Sequence, residues 1–313
     1  MLSRIADSLF WLNRYMERAD GMLRTTLSHA VLLLDKDVNS DLSWQHVLET
    51  FTYCSDEEID VLKNDTRAVL DKLLLDGTNP NSLKVIVTRA RENARGAQDH
   101  ITKEVWEHVN GLYHYVNSPE LEKQLHGFQM IETIEELLHE STLYTGVADS
   151  TMPRGQGWDF MNLGKYIERC LITIEIADKF FSMIDYNLED EKDILHWRPM
   201  LLSLSGYELH LKNYRSNSFN DNALHQVLFN GHFTRSVIYS LNRLNKYIRD
   251  VMQLNETEAK EILHKMFGRI RSRVEFADFA SLNKETLEPF LTGVKDEVND
   301  FSMQFAQNFF SYS

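Results

Sequence analysis

At 100° per residue, Leu9, Leu12, Met16, Ala19, Leu23, Leu27, Ala30 and Leu34 fall in one arc, which predicts a long amphipathic helix over residues 3–35. The opposite arc is not a plain solvated face: Asp7, Arg14, Glu17 and Arg18 share it with Phe10, Trp11 and Gly21. Such a helix is expected to be buried on two sides, and charges there must be paired or bound, because an isolated buried ion costs several kcal/mol. After a polar connection at 37–43, the periodicity predicts helices over 44–55 and 56–76. The turn GTNPNS at 77–82 offers Gly77 as a C-cap and Ser82 as an N-cap. A long helical region follows over 82–116, and Ser118-Pro119 starts another that reaches about 145. Beyond the loop TMPRGQG at 151–157, helices are predicted near 157–185, 192–214, 221–230, 234–252, 257–280 and 284–310. The chain has only 5 prolines, at positions 80, 119, 153, 199 and 289, all read as breaks between periodic stretches, so the expected fold class is all-α.

The pattern is written twice. Residues 12–19, LNRYMERA, return as LGKYIERC at 163–170; Trp44 answers Trp197, Ser82 answers Ser236, and Lys103 answers Lys260. The offset only grows, from 151 residues at Arg14 and Lys165 to 157 at Lys103 and Lys260, as small insertions in a second copy require. The second Glu-Arg helix carries the same mixed arc, with Trp158, Met161, Asn162, Lys165, Glu168, Arg169 and Ile172. The expectation is a two-lobed helical bundle built from a tandem internal repeat, 1–150 and 151–313, packed as one globular unit.

Composition narrows the functions. With 43% hydrophobic residues the chain is a packed globular protein, and a formal charge of −14 argues against a general nucleic-acid or anionic-membrane binder. Cys54 and Cys170 imply no disulfide framework, which fits a cytoplasmic protein. Arg4, Asp7 and Arg14 interrupt the N-terminal apolar stretch, so neither a signal peptide nor a transmembrane segment is expected.

Candidate chemistry lies in the cations. Arg14, Arg18, Lys165 and Arg169 outnumber Glu17 and Glu168, and TRARENAR adds Arg89, Arg91 and Arg95 against Glu92. If these segments converge, they form an electropositive pocket that suits a carboxylate or phosphate. The competing reading is a clamp, with Glu17 paired to Arg14, Glu168 to Lys165, and further pairs between the halves. Arg154, with Gly155 and Gly157 just before the second Glu-Arg helix, is a weaker anion-binding loop. Two Glu-x-x-His boxes exist, Glu136 to His139 and Glu261 to His264, but the repeat does not superpose them, so no metal site is expected. No P-loop, HExxH, GxSxG or reactive-cysteine signature is present.

The segments MLSRIADSLFWLNRYMERAD, SLKVIVTRARENARGAQDHITKEVWEHVN, DSTMPRGQGWDFMNLGKYIERC and WRPMLLSLSGYELHLKNYRS together resemble the bacterial Alpha-E family, over nearly the full chain. The resemblance implies a stand-alone all-α protein of a family without an established activity. That family is found with ATP-grasp proteins and transglutaminase-like proteases, which implies a part in making or modifying a peptide or amide-linked metabolite. Its motif positions correspond to Arg14, Glu17 and Arg18; Arg91, Asn93 and Arg95; Glu104 and Trp106; Arg154 and Trp158; and Glu168 and Arg169. Lys165 stands where the family favours Arg, and Cys170 where it favours Ala. The resulting expectation is a non-catalytic partner of an ATP-grasp peptide or amide ligase system that binds an anionic ligand and needs no cofactor. The alternatives are a helical-bundle enzyme with Glu17 or Glu168 as acid or base, and a scaffold without a ligand.

Overall fold

The computed structural model describes residues 2–34, 42–252 and 258–310, and among these every regular element is helical. Most of the predicted connection at 37–43 lies outside the described residues, as do Asp35 and Thr257 at the ends of predicted helices. No described helix is long and apolar enough to cross a membrane. The chain divides into two compact units, Trp11–Pro153 and Arg154–Ser313, with Met1–Phe10 belonging to the second.

In the N-terminal unit, α1 (Ser3–Leu34) enters from the first ten residues and is followed by α2 (Gln45–Phe51), α3 (Asp56–Leu62) and α4 (Thr66–Leu70). A π turn, Asp71–Leu75, then leads to α5 (Leu83–Gly96), α6 (Lys103–Val116), α7 (Pro119–Leu125) and α8 (Met130–Thr151). Polar side chains set these boundaries. Ser55 and Glu58 close a capping box on α3, and Ser82, Thr102 and Ser118 each accept a backbone N–H at the start of α5, α6 and α7. The helical region expected over 82–116 is therefore two helices that pack on each other, broken by a 3₁₀ turn at Gln98–His100 and the Thr102 cap. The helix expected from Ser118 to about 145 also breaks. Its interruption follows His126, whose ring bonds to Asp71 and lies 3.0 Å from Arg67 Nη2. Those tertiary bonds outweigh local periodicity.

The C-terminal unit contains α9 (Gln156–Ser182), α10 (Ile194–Ser203), α11 (Tyr207–Asn213), α12 (Phe219–Leu228), α13 (Val237–Met252), α14 (Glu258–Glu275) and α15 (Leu287–Phe309). α9 packs on α13 and α15, and α14 packs on both α13 and α15. Phe10 explains why the first residues belong here: its ring lies 6.0 Å from Phe305 and 5.2 Å from Phe310, within an aromatic core that includes Phe160 and Phe301. Pro199 corrects the reading of prolines as breaks, since it lies inside α10. The carbonyl it cannot serve belongs to Leu195, an exposed residue near the start of the helix. The stretch expected over 192–214 instead ends at Ser205, in a left-handed conformation with φ 54°. The adjoining Gly206 has no room for a side chain, because a Cβ would lie 2.8 Å from Phe233 Cζ.

Each unit buries an indole whose N–H is satisfied: Trp44 Nε1 donates to Thr66 Oγ1 at 3.0 Å, and Trp197 Nε1 to Asn220 Oδ1 at 2.9 Å. Asn220, fully buried, also accepts from Lys192 N and donates to the carbonyls of Leu188 and Asp190. Replacing Asn220 with Leu leaves these groups without partners and is expected to cost about 3–5 kcal/mol in chemical denaturation. A loss below about 1 kcal/mol would contradict this account of the loop.

Candidate functional site

The two Glu-Arg dipeptides, Glu17-Arg18 and Glu168-Arg169, lie mid-helix on α1 and α9. Both glutamates are buried, at 4% and 2% exposure, while both arginines are half-buried. The expected two-sided burial is observed: Phe10, Arg14 and Gly21 are buried on the charged arc of α1, as are Met161, Asn162 and Ile172 on that of α9.

In the N-terminal unit, Arg18 Nη1 donates to Asn81 Oδ1 at 2.9 Å. Asn81 is held in place because its N–H bonds to Asn79 Oδ1, while Asn79 Nδ2 bonds to the Lys72 carbonyl. Ser82, the next residue, caps α5. Arg18 therefore grips the entry loop of a helix. Arg14 lies over the Trp11 ring at 4.8 Å, and Asn13 accepts from Tyr144 of α8. A separate group forms between α5 and α6. Arg91 Nε donates to Asn110 Oδ1 at 2.8 Å, and its guanidinium lies 4.4 Å from the Tyr113 ring and 5.8 Å from that of Trp106. Arg95 and Glu104, also singled out by sequence, are exposed and make no side-chain bond among the described residues.

In the C-terminal unit, Arg169 Nη1 donates to the Thr234 carbonyl at 3.3 Å, and Thr173 Oγ1 to the Arg235 carbonyl at 2.8 Å. Ser236 follows, its Oγ accepting from Tyr239 N at the start of α13. Arg169 thus holds the entry loop of α13. Arg154 is exposed, with its guanidinium 3.8 Å above the Trp158 ring; α9 already begins at Gln156, so the loop is only Met152–Gly155 and Gly157 is helical.

Sequence reasoning missed an aromatic-cationic network around Tyr166. Its ring lies 6.3 Å from Tyr239 and 6.1 Å from Tyr247; Arg169 and Arg243 stand over it at 5.4 and 5.6 Å, with Lys165 at 5.8 Å. Arg243 also donates to Tyr247 Oη at 2.7 Å. Burial raises the Tyr166 and Tyr247 phenols, and the arginines partly offset that. On the same helix pair, burial and then Asp250 push Asp159 up to about 6, against a weaker pull from Lys246. The signal was present in the sequence: Tyr239, Arg243 and Tyr247 recur every four residues along α13.

The residues of the Glu-x-x-His boxes have other uses. Glu136 accepts from Tyr115, and Glu261 pairs with Lys265. Among the described residues, no three His, Cys, Asp or Glu side chains gather to hold a metal ion.

The Alpha-E family, described as a predicted alpha-helical domain with a conserved ER motif, matches residues 1–310. Comparison with curated proteins and with solved structures gives no match. The chain belongs to the Alpha-E family, and Glu17-Arg18 and Glu168-Arg169 are its two occurrences of the Glu-Arg pair.

Proposed function

We propose, from that membership, that the chain is a non-catalytic cytoplasmic partner of a bacterial ATP-grasp peptide or amide ligase and that its Glu-Arg arginines bind an anionic group. The anion reading rests on one observation made in each unit. Arg18 and Arg169 are hydrogen-bonded to the loops that enter α5 and α13, close to the N-termini of helices of 14 and 16 residues. A guanidinium and the positive end of a helix dipole both favour a carboxylate or phosphate, so their proximity supports an anionic ligand. The buried glutamates Glu17 and Glu168 immediately precede these arginines on α1 and α9. The same parallel supports a tandem repeat, as do the two buried tryptophans and the packed pairs α5 with α6 and α13 with α14. Two free cysteines, Cys54 half-buried and Cys170 buried, fit a reducing compartment.

The ligase partner, and the transglutaminase-like protease beside it, come from the family resemblance. Tagged chain mixed with the ATP-grasp ligase of the same bacterium is expected to form a complex that survives gel filtration at micromolar concentration. Absence of a complex, together with ligase turnover indifferent to the added chain, rejects the partnership. The loop bonds equally support a purely structural reading, in which the arginines only pin helix entries. In that case their removal lowers the melting temperature and leaves partner and anion binding intact.

A further inference from the structure

A groove of about 770 Å³ opens in the N-terminal unit, and neither Glu17 nor Arg18 lines it. One side is the π turn Asp71–Leu75, and the others are contributed by α3, α5, the end of α6 and α7. A π turn has poorer geometry than an α-helix and is kept chiefly where a site or a packing constraint requires the extra residue. The volume lies within the range of about 300–1,000 Å³ typical of small-molecule sites.

The lining has a definite chemistry. Leu62, Leu75, Val116 and Pro119 supply aliphatic wall. Of the five charged residues, three are already engaged: Lys72 pairs with Asp76 at 3.0 Å, and Asp71 is bonded to His126. Burial pushes the Asp76 carboxyl up, but bonds from Thr78 and Lys72 outweigh it and hold the group at about 2, so the pair stays ionised and closed on itself. This leaves Lys84 on α5 and Glu122 on α7. Neither side chain makes a hydrogen bond or ion pair among the described residues, with each other or with any neighbour. Lys84 is half-buried, so its charge is partly desolvated without a counter-ion.

One cation and one carboxylate, carried by different helices around an aliphatic groove, are the complement of a molecule with an anion at one end, a cation at the other and aliphatic side chains between them. We propose that this groove binds a small aliphatic zwitterion, a short peptide, with its carboxylate on Lys84 and its ammonium on Glu122. The inference is independent of the Glu-Arg reading and can fail without affecting it.

Isothermal titration of the full chain with L-leucyl-L-leucine, its N-acetyl derivative and its C-terminal amide provides the test. The free dipeptide is expected to bind, and blocking either terminus to weaken binding about ten-fold or more, as loss of one charge-assisted pair requires. Lys84→Met is expected to lose the preference for the acid over the amide while keeping the preference for the free amine, and Glu122→Gln the reverse. Both positions are outside the core, and circular dichroism checks that each variant is folded. No binding of the free dipeptide, equal binding of the blocked forms, or binding indifferent to both substitutions overturns the proposal.

Discussion

Acidification from pH 7 to pH 4 is expected to destabilise the N-terminal unit by several kcal/mol, because it holds two histidines neutral that the unfolded chain protonates. His29 and His46 are buried with their rings 4.8 Å apart, and His29 lies 4.5 Å from Trp44. Burial lowers His46 from 6.5 to about 4. Burial, and then the neighbouring His46, lowers His29 to about 2. Neither ring nitrogen of His29 has a well-formed hydrogen bond among the described residues, and the Ser43 backbone offsets the shift only in part. Both folded-state values lie below the unfolded value of 6.5, so the stabilisation is complete above pH 6.5. It is lost as the pH falls through 6.5 toward 4 and then 2. His46 alone accounts for about 3 kcal/mol of this, and His29 acts in the same direction. Urea midpoints followed between pH 7.5 and 4.5 are expected to fall steeply in the wild type. In His29→Leu combined with His46→Leu they are expected to change much less. Parallel profiles for the two proteins would remove the histidines from the account.

Much of the fold was legible because apolar residues at helical spacing record which face is buried, and burial is what stabilises a helix in a protein. α1 was expected over 3–35 and is observed as Ser3–Leu34; α9 was expected from 157 to 185 and spans Gln156–Ser182. Periodicity could not locate breaks made by tertiary bonds. His126 ends α7 through Asp71 and Arg67, residues far away in sequence, and Gly206 is required by Phe233, which lies in a later loop. The site was legible in pieces. The resemblance singled out Arg91, Trp106, Arg154 and Trp158 separately; in the structure the Arg91 guanidinium lies 5.8 Å from the Trp106 ring and that of Arg154 3.8 Å from the Trp158 ring. Arg95 and Glu104 came from the same resemblance but make no side-chain bond among the described residues, because each is exposed on a helix surface. The zwitterion groove left no sequence signal, since its charges come from α5 and α7 and its wall includes a π turn that has no recognised pattern.

The second large effect concerns the arginines themselves. Arg18→Ala removes a charged bond to Asn81, and Arg169→Ala one to the Thr234 carbonyl. Arg18→Ala is expected to lower stability by about 1–2 kcal/mol, as for a part-buried hydrogen bond to a charged group, and Arg169→Ala by less, since its bond is exposed and 3.3 Å long. The functional loss is expected to be larger, because an anion bound at an arginine near a helix N-terminus loses its principal cation. Arg18→Lys and Arg169→Lys keep the charge but not the planar fork, and are expected to be intermediate.

The most direct test is therefore product formation by the cognate ATP-grasp ligase with and without this chain, comparing wild type with the Arg18→Ala, Arg169→Ala double variant at a temperature where both are folded. The account predicts that wild type raises product formation and that, at chain concentrations well below saturation, the double variant loses about nine-tenths or more of that effect, as a ten-fold weaker interaction gives there. Product formation that the double variant supports as well as wild type, with only its melting temperature lowered, would contradict the account and leave the Glu-Arg pairs as structural pins.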